Sequence, residues 1–348
     1  MLSSITVSPS PHISQPRSTR SIMLDVIIAL IPAVLAACLF FMISAVILIA
    51  VCIVSCMVTE WLCNLIRKKP NSLGDLSAVV TAIILALSLP PAVPFWVAII
   101  GSAFAIAIGK MVFGGLGSNI FNPAMVSRAF LSACFGMLMT TWTLPMVEWK
   151  DSKLNFYKDT ATIPAAKTDA TTSPTTKATP LAWSKQAIKG KGKATMASSQ
   201  LNATFFGQTG GCLGETSALA LLIGGAYLLI KRTITLHIPL AVLASAYAFG
   251  AMGYLINPVA YMPPLMHLTT GGMLLCAFFI ATDPVTAPLT TKGMWIFGIG
   301  VGGIIMLVRM VGEYPEGVMY AVLLMNAVTP LIDRFCKIIP AGGKINNE

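Results

Sequence analysis

The chain has 348 residues, of which 56% are apolar and only 10% charged, with 23 Lys and Arg against 13 Asp and Glu and a mean hydropathy of +0.80. A soluble domain carries roughly a quarter charged residues and needs a largely polar outside. The composition excludes an ordinary soluble enzyme, a DNA-binding domain and a disordered chain, and points to a protein that crosses a membrane several times.

Residues 1–20 are polar and lack a signal-peptide cleavage pattern, so the first apolar run is expected to stay as a helix. About 20 apolar residues are needed to cross the hydrocarbon. Such runs fall at 21–40, 43–66, 76–92, 95–113 and 124–146, and again at 214–230, 236–256, 265–284, 293–311 and 316–335. Between the fifth and sixth lies a Thr-, Ser-, Ala- and Lys-rich stretch, residues 147–213, with nine of the 23 basic residues. The expected fold is all-α and polytopic: ten transmembrane helices in two five-helix halves, 21–146 and 214–335. Short segments 1–20 and 336–348 flank them, and a hydrophilic loop domain separates them.

The charges assign sides. With the N-terminus in the cytoplasm, the inside receives 13 basic residues, from Arg17 to Lys344 and including Lys110 and Arg128, while the short outer segments receive only Arg309. That bias follows the positive-inside rule, with both termini cytoplasmic. Residues 147–213 then lie outside, since long loops translocate largely regardless of charge. Five spans on each side of an outer domain have opposite orientations. The third span of each half is interrupted, by Leu89-Pro90-Pro91 in the first and by Asp283-Pro284 through Pro288 in the second. Paired interruptions in inverted halves point to a binding site between the repeats.

Ionisable groups in apolar runs need a partner, water or a ligand. Asp25, Glu60, Lys110, Arg128, Asp283 and Arg309 are such groups. Lys110 and Arg128 are expected to snorkel to the inner surface. Asp25 and Glu60 suit either ion passage or the interface, and Asp283, beside Thr282 and Thr286, is suited to a cation or the polar edge of a ligand. The block Gly114-Gly115-Leu116-Gly117-Ser118-Asn119-Ile120-Phe121-Asn122-Pro123 combines close backbone approach with two amides. Gly298 to Gly303, inside a span, suits helix packing. No Rossmann or P-loop pattern occurs, and the three histidines form no metal constellation. The eight cysteines show no CxxC spacing, so neither an iron–sulfur run nor a local disulfide framework is written, and they read as small buried hydrophobes.

Ordered blocks along nearly the whole chain resemble the D subunit of the Rnf ion-translocating electron-transport complex, a family related to the B subunit of the sodium-pumping NADH:quinone reductase. The blocks are Ser8–His12, Asp75–Ala82 running to Leu89-Pro90-Pro91, Gly114–Met125, Ala281–Thr286, and Tyr314-Pro315-Glu316-Gly317 with Asn326 and Pro330–Asp333. The resemblance implies FMN joined through its phosphate to a threonine in a Ser/Thr-x-Ala-Thr motif read by a flavin transferase. Here Thr176-Lys177-Ala178-Thr179 precedes Pro180-Leu181, which makes Thr179 the attachment residue, with lysines 177, 185 and 189 available to offset the phosphodiester charge. It also implies a second, noncovalent flavin such as riboflavin near Asn119, Asn122, Asp283 and Thr286. The implied activity is electron relay between ferredoxin and NAD, coupled to Na⁺ or H⁺ movement across the bacterial inner membrane. Iron–sulfur and flavin subunits of the same complex would be the partners, and nucleic acid would not. The related quinone-reductase protein and a nonredox inverted-repeat channel or transporter are the alternative readings.

Overall fold

The computed structural model describes residues 18–142, 147–150, 153–156, 180–188, 201–207, 210–312, 314 and 316–336. Almost all of them are helical. The first helix, α1 (Thr19–Ile66), is interrupted at Met42, whose φ of 50° and ψ of −131° leave helical space. That interruption falls between the first two apolar runs. The two arms fold back on each other, because Met23 lines the same cavity as Lys110, and Lys110 bonds Glu60 near the far end of the second arm. One arm packs on α8 (Ala218–Ile230), where Gly224 meets the Ala29 carbonyl. The other packs on α3 (Phe95–Ile106), to which Ser55 and Cys56 donate at the carbonyls of Ile99 and Ser102.

The third apolar run of the first half is a short helix, α2 (Ser77–Ser88), ended at Leu89 where the chain turns extended before the prolines. A proline removes a backbone donor, and the preceding residue favours extended geometry. The carbonyls freed there are satisfied from a distance: Leu213 N–H donates to Leu89 O at 3.1 Å and Gly214 N–H to Leu87 O at 2.7 Å. α3 runs on into a π-helical turn, Ala107–Met111. α4 (Pro123–Cys134) follows the glycine block, with a short α5 (Gly136–Met139) after it. Phe104 of α3 stacks on Phe130 of α4, ring centroids 4.0 Å apart.

In the second half, α9 (His237–Ile256), α12 (Thr291–Met310) and α13 (Val318–Phe335) are single helices. The third run is broken in two places. α10 (Pro264–Thr269) stops at an extended Thr270, and Gly271 takes φ +65°. The chain resumes as α11 (Met273–Leu275), which continues through a π-helical turn, Cys276–Ile280, to Asp283. Among the described residues, four helices are long and apolar enough to cross a membrane (α1, α9, α12 and α13), and α2, α3 with its extension, and α8 are shorter apolar helices. The apolar faces of these helices are widely exposed, as in Leu35, Ile43, Val54 and Leu324, the pattern of a bundle surrounded by lipid rather than water. The glycines of α12 serve packing: a Cβ on Gly298 would meet Ala241 and the Ile238 carbonyl of α9, and one on Gly302 would overlap Ser245 and the Val242 carbonyl.

The loop domain departs from an all-helical expectation. β1 (Val147–Lys150) and β2 (Lys153–Phe156) pair antiparallel, with Val147 opposite Phe156 and Lys150 opposite Lys153. The sequences Val-Glu-Trp-Lys and Lys-Leu-Asn-Phe alternate apolar and polar residues, the period of a strand. Among the described residues two helices follow, α6 (Pro180–Ile188) and α7 (Leu201–Phe206). Thr176, Ala178 and Thr179 lie outside the described residues.

Candidate functional site

The short helices α2 and α11 with its extension run antiparallel between two polar clusters. At one end a cavity of about 70 Å³ is lined by Ser77, Thr81 and Ile84 of α2 and by Phe278, Phe279, Thr282 and Asp283 beyond α11. Met23 and Val26 of α1, Lys110, Asn119 and Asn122 complete it, with Thr233 after α8. Residues from both halves therefore share one cavity, and the glycine block and the Asp283 break meet in it. A site of this size holds a handful of waters or part of a larger ligand.

Each polar group here has a local account. Asn122 caps α4, its Oδ1 accepting from Ala124 N at 3.1 Å and Met125 N at 3.3 Å, with Pro123 at the first helical position. With the Asn326 amide oriented to satisfy both its ends, Asn326 accepts from Asn122 N–H at 3.0 Å. Replacing Asn122 by Ala removes the cap, and unfolding of the purified protein in mixed maltoside–dodecyl sulfate micelles should show a loss of about 1 kcal/mol. Asn119 donates to Phe121 O at 3.2 Å, but its buried Oδ1 has no partner among the described residues. Asp283 accepts from Val285 N at 3.2 Å and Thr286 Oγ1 at 3.3 Å, closing a turn on itself. Thr286 sits behind it and does not line the cavity; its carbonyl accepts from Thr329 of α13. Asp25 accepts from Thr233 at 3.2 Å, a tie between the two halves.

Lys110 does not snorkel. It is 2% exposed, because the π-helical turn aims it inward, where its Nζ lies 2.8 Å from both oxygens of the fully buried Glu60 and 2.5 Å from Ser77 Oγ. Glu60 also accepts from Ser72 at 2.5 Å, Ser72 from Asn64 at 2.8 Å, and Ser77 donates onward to Asp75 at 2.6 Å. A continuous chain of hydrogen bonds thus runs from the partly exposed Asp75 to the cavity wall.

The second cluster lies about 18 Å away along α2, taking 1.5 Å per residue for its 12 residues. Arg128 is here rather than at the inner surface. It is buried, 2.6 Å from Glu316, 3.8 Å from Glu215, and donates to Cys212 Sγ at 3.4 Å. Glu316 also accepts from Gly272 N at 2.8 Å, at the break before α11. Cys212, Glu215 and Glu316 bring their ligand atoms within 4.8 Å of one another, a spacing that suits a metal ion, but the cation seated among them is the Arg128 guanidinium. Arg309 of α12 reaches the same break from the other side, donating to His267 O at 2.6 Å and Thr270 O at 2.9 Å. Non-helical backbone at membrane depth must be satisfied from within the protein, and Arg309 and Glu316 do this on both sides of Gly271.

Neither Glu215 nor Glu316 is among the acids that the apolar runs single out, although each stands at the edge of a run and Glu316 falls in the Tyr314–Gly317 block. Nothing local pairs Arg128 with a residue 188 positions away.

A bundle of apolar helices, two of them broken in the interior around buried charge, defines a helical membrane protein. Comparison with known proteins narrows this. The family model described as "NQR2, RnfD, RnfE family" matches residues 6–342, and the chain belongs to that family. It is 43% identical over 335 residues to the D subunit of the Na(+)-translocating ferredoxin:NAD(+) oxidoreductase complex of Acetobacterium woodii, covering 96% of this chain and 94% of that one. It is 39% identical over 343 residues to the D subunit of the proton-translocating ferredoxin:NAD(+) oxidoreductase complex of Clostridium ljungdahlii, covering 97% and 96%. It is 39% identical to the D subunit of the ion-translocating oxidoreductase complex of Sodalis glossinidius, covering 94% and 96%.

Proposed function

We propose that this chain is the D-type membrane subunit of an ion-translocating ferredoxin:NAD oxidoreductase complex, relaying electrons within it while Na⁺ or H⁺ is moved. The observation that carries the reading is the similarity, over almost the full length of both chains, to subunits named for that activity. In this reading the membrane part is ten helices in two inverted five-helix repeats in a bacterial inner membrane, with both termini cytoplasmic and residues 147–213 outside. Its support is the basic-residue bias and the antiparallel course of the two interrupted segments between one cavity and one ion cluster. The protein acts inside a multi-subunit complex, with iron–sulfur and flavin subunits as partners.

FMN is joined by a phosphodiester to Thr179, within Thr176-Lys177-Ala178-Thr179, by a flavin transferase. When bound, flavin supplies one- and two-electron chemistry, and the protein sets its position and potential. For a second, noncovalent flavin such as riboflavin, the cavity wall offers groups that match part of the ring. Asn119 Oδ1, without a partner among the described residues, is a buried acceptor in need of an N–H donor, which the edge of an isoalloxazine ring provides. Phe278 and Phe279 offer apolar faces beside it, and Lys110 and Thr282 are the polar groups in reach. Asn122, Asp283 and Thr286 orient the cavity wall through their own hydrogen bonds.

In-gel fluorescence of the denatured protein tests the attachment. Protein made with the transferase should give a fluorescent band, and Thr179→Ala should abolish it while the polypeptide is still made. A fluorescent Thr179→Ala band means that the flavin is attached elsewhere, and a flavin-free wild-type preparation favours a nonredox transporter.

A further inference from the structure

The second cluster holds two carboxyl groups that are not served alike. Glu316 receives the Arg128 guanidinium at 2.6 Å and the Gly272 N–H at 2.8 Å. Among the described residues, the Cys212 N–H at 3.3 Å is the one protein donor within hydrogen-bond distance of Glu215, and Arg128 stands 3.8 Å away. The two carboxyl groups are in side-chain hydrogen-bond contact with each other. An ionised carboxylate only accepts, so a bond between two of them needs a proton on one. Two negative carboxylates in one site also repel, and the strain is relieved when one of them stays protonated. Glu316 has the stronger donors and is the ionised member, which leaves the proton on Glu215.

The surroundings accommodate both states of that proton. Arg128 of α4, Glu316 at the start of α13, Arg309 of α12 and the Cys212 thiol are the charged and titratable groups that face Glu215, with Cys276 behind Glu316 and Arg309 and His267 behind Arg309. With the proton bound, Glu215 donates to Glu316. With it released, two arginines balance two glutamates, and Arg128 already stands beside Glu215 to replace the lost O–H. Access is one-sided. A cleft of about 30 Å³, room for about two waters, ends on Arg128 and Glu316 and opens beside the exposed Thr140 and Tyr314. On the opposite flank Leu181 of α6 is buried over the break, since a Cβ on Gly271 would stand 2.6 Å from Leu181 Cδ1 and 2.7 Å from Glu316 Oε1. An apolar side chain thus covers Glu316 there, while the cleft admits water.

We propose that Glu215 and Glu316 form a binding site for one proton, held in an O–H···O⁻ bond from Glu215 to Glu316 and exchanged with water through the cleft beside Thr140 and Tyr314. Glu316 lines the cleft and Glu215 does not, so the proton leaves by crossing to Glu316 and then to a water, and no other bond is broken. Arg128 is a positioning residue: it keeps Glu316 as the acceptor and pairs with Glu215 once the proton is gone. In the proposed orientation the cleft lies on the outer side, between the end of the fifth apolar run and the turn before the tenth.

The test uses the full-length protein in maltoside at neutral pH, with infrared spectra of the wild type and of Glu215→Gln. Their difference should contain one carbonyl stretch of a protonated carboxyl group, lost in the variant, and that band should shift in D₂O because the proton exchanges through the cleft. Unfolding titrations supply a second readout. Glu215→Gln should unfold at the same dodecyl sulfate fraction as the wild type, because the amide N–H donates to Glu316 as the carboxyl O–H does. Glu316→Gln should unfold at a lower fraction, because it strips Arg128 of its carboxylate. A difference spectrum without the band overturns the proposal. So does a Glu215→Gln protein that fails to fold or is as unstable as Glu316→Gln, since Glu215 is then a permanently ionised partner of Arg128. A band that does not shift in D₂O overturns exchange through the cleft.

Discussion

Replacing Lys110 by Met is expected to destabilise the protein by roughly 3–5 kcal/mol, the cost of stripping one partner from a buried ion pair. The Glu60 carboxylate has no exposed surface, and both of its oxygens lie 2.8 Å from Lys110 Nζ. Without the ammonium, Ser72 remains as the one hydrogen-bond donor to Glu60 among the described residues, and a serine hydroxyl cannot offset a charge at membrane depth. The double variant Glu60→Gln, Lys110→Met should recover most of the loss, because a neutral amide can still accept from Ser72 and no bare charge is left. Unfolding titrations in mixed maltoside–dodecyl sulfate micelles measure all three proteins. If the double variant is as unstable as Lys110→Met alone, the pair contributes through something other than charge compensation.

The second large effect is steric. Gly302→Val should cost about 3 kcal/mol, the upper end for overpacking a core. A Cβ at Gly302 would overlap Ser245 Oγ and the Val242 carbonyl, and the latter belongs to the backbone of α9 and has no rotamer to change. Relief requires α9 and α12 to separate. In a membrane, van der Waals contact is a principal force between helices, so separation loses what holds them together. Gly303→Val is the control on the same helix, since the atoms nearest its Cβ belong to the ring of Phe249, at 3.2 Å and beyond. Equal losses at the two positions, measured in the same titration, would rule out close backbone approach as the cause.

Both predictions concern pairings that join distant parts of the chain, and this separates what was legible in the sequence from what was not. The break at Leu89-Pro90-Pro91, the Asp283-Pro284 turn and the packing role of Gly298 to Gly303 are local properties of proline, Asx side chains and missing Cβ atoms, and each is found where the residues predict it. The first two apolar runs likewise become the two arms of α1, divided at Met42. Asp283 is read as an ionisable group in an apolar run, and Asn119 and Asn122 as amides of the glycine block between spans; the three side chains line one cavity. Thr286 was chosen by adjacency, and it faces Asp283 and Thr329 instead.

The fate of the buried cations was not legible. Lys110 and Arg128 both stand near the ends of apolar runs, where snorkelling is the cheaper expectation for a long basic side chain. Each turns inward because an acid waits there, 50 residues away for Lys110 and 188 for Arg128. The break at Thr270–Gly272 was hidden too, since threonine and glycine are ordinary in membrane helices and only Arg309 and Glu316, brought over it by α12 and the start of α13, satisfy the opened backbone. Composition and the lengths of the apolar runs by themselves determined a helical membrane protein, because lipid-exposed backbone must close its hydrogen bonds within the protein and an apolar run of about 20 residues does so as a helix. Tertiary structure alone decided which charges pair and which short helices face each other, because those energies depend on distances that no local pattern encodes.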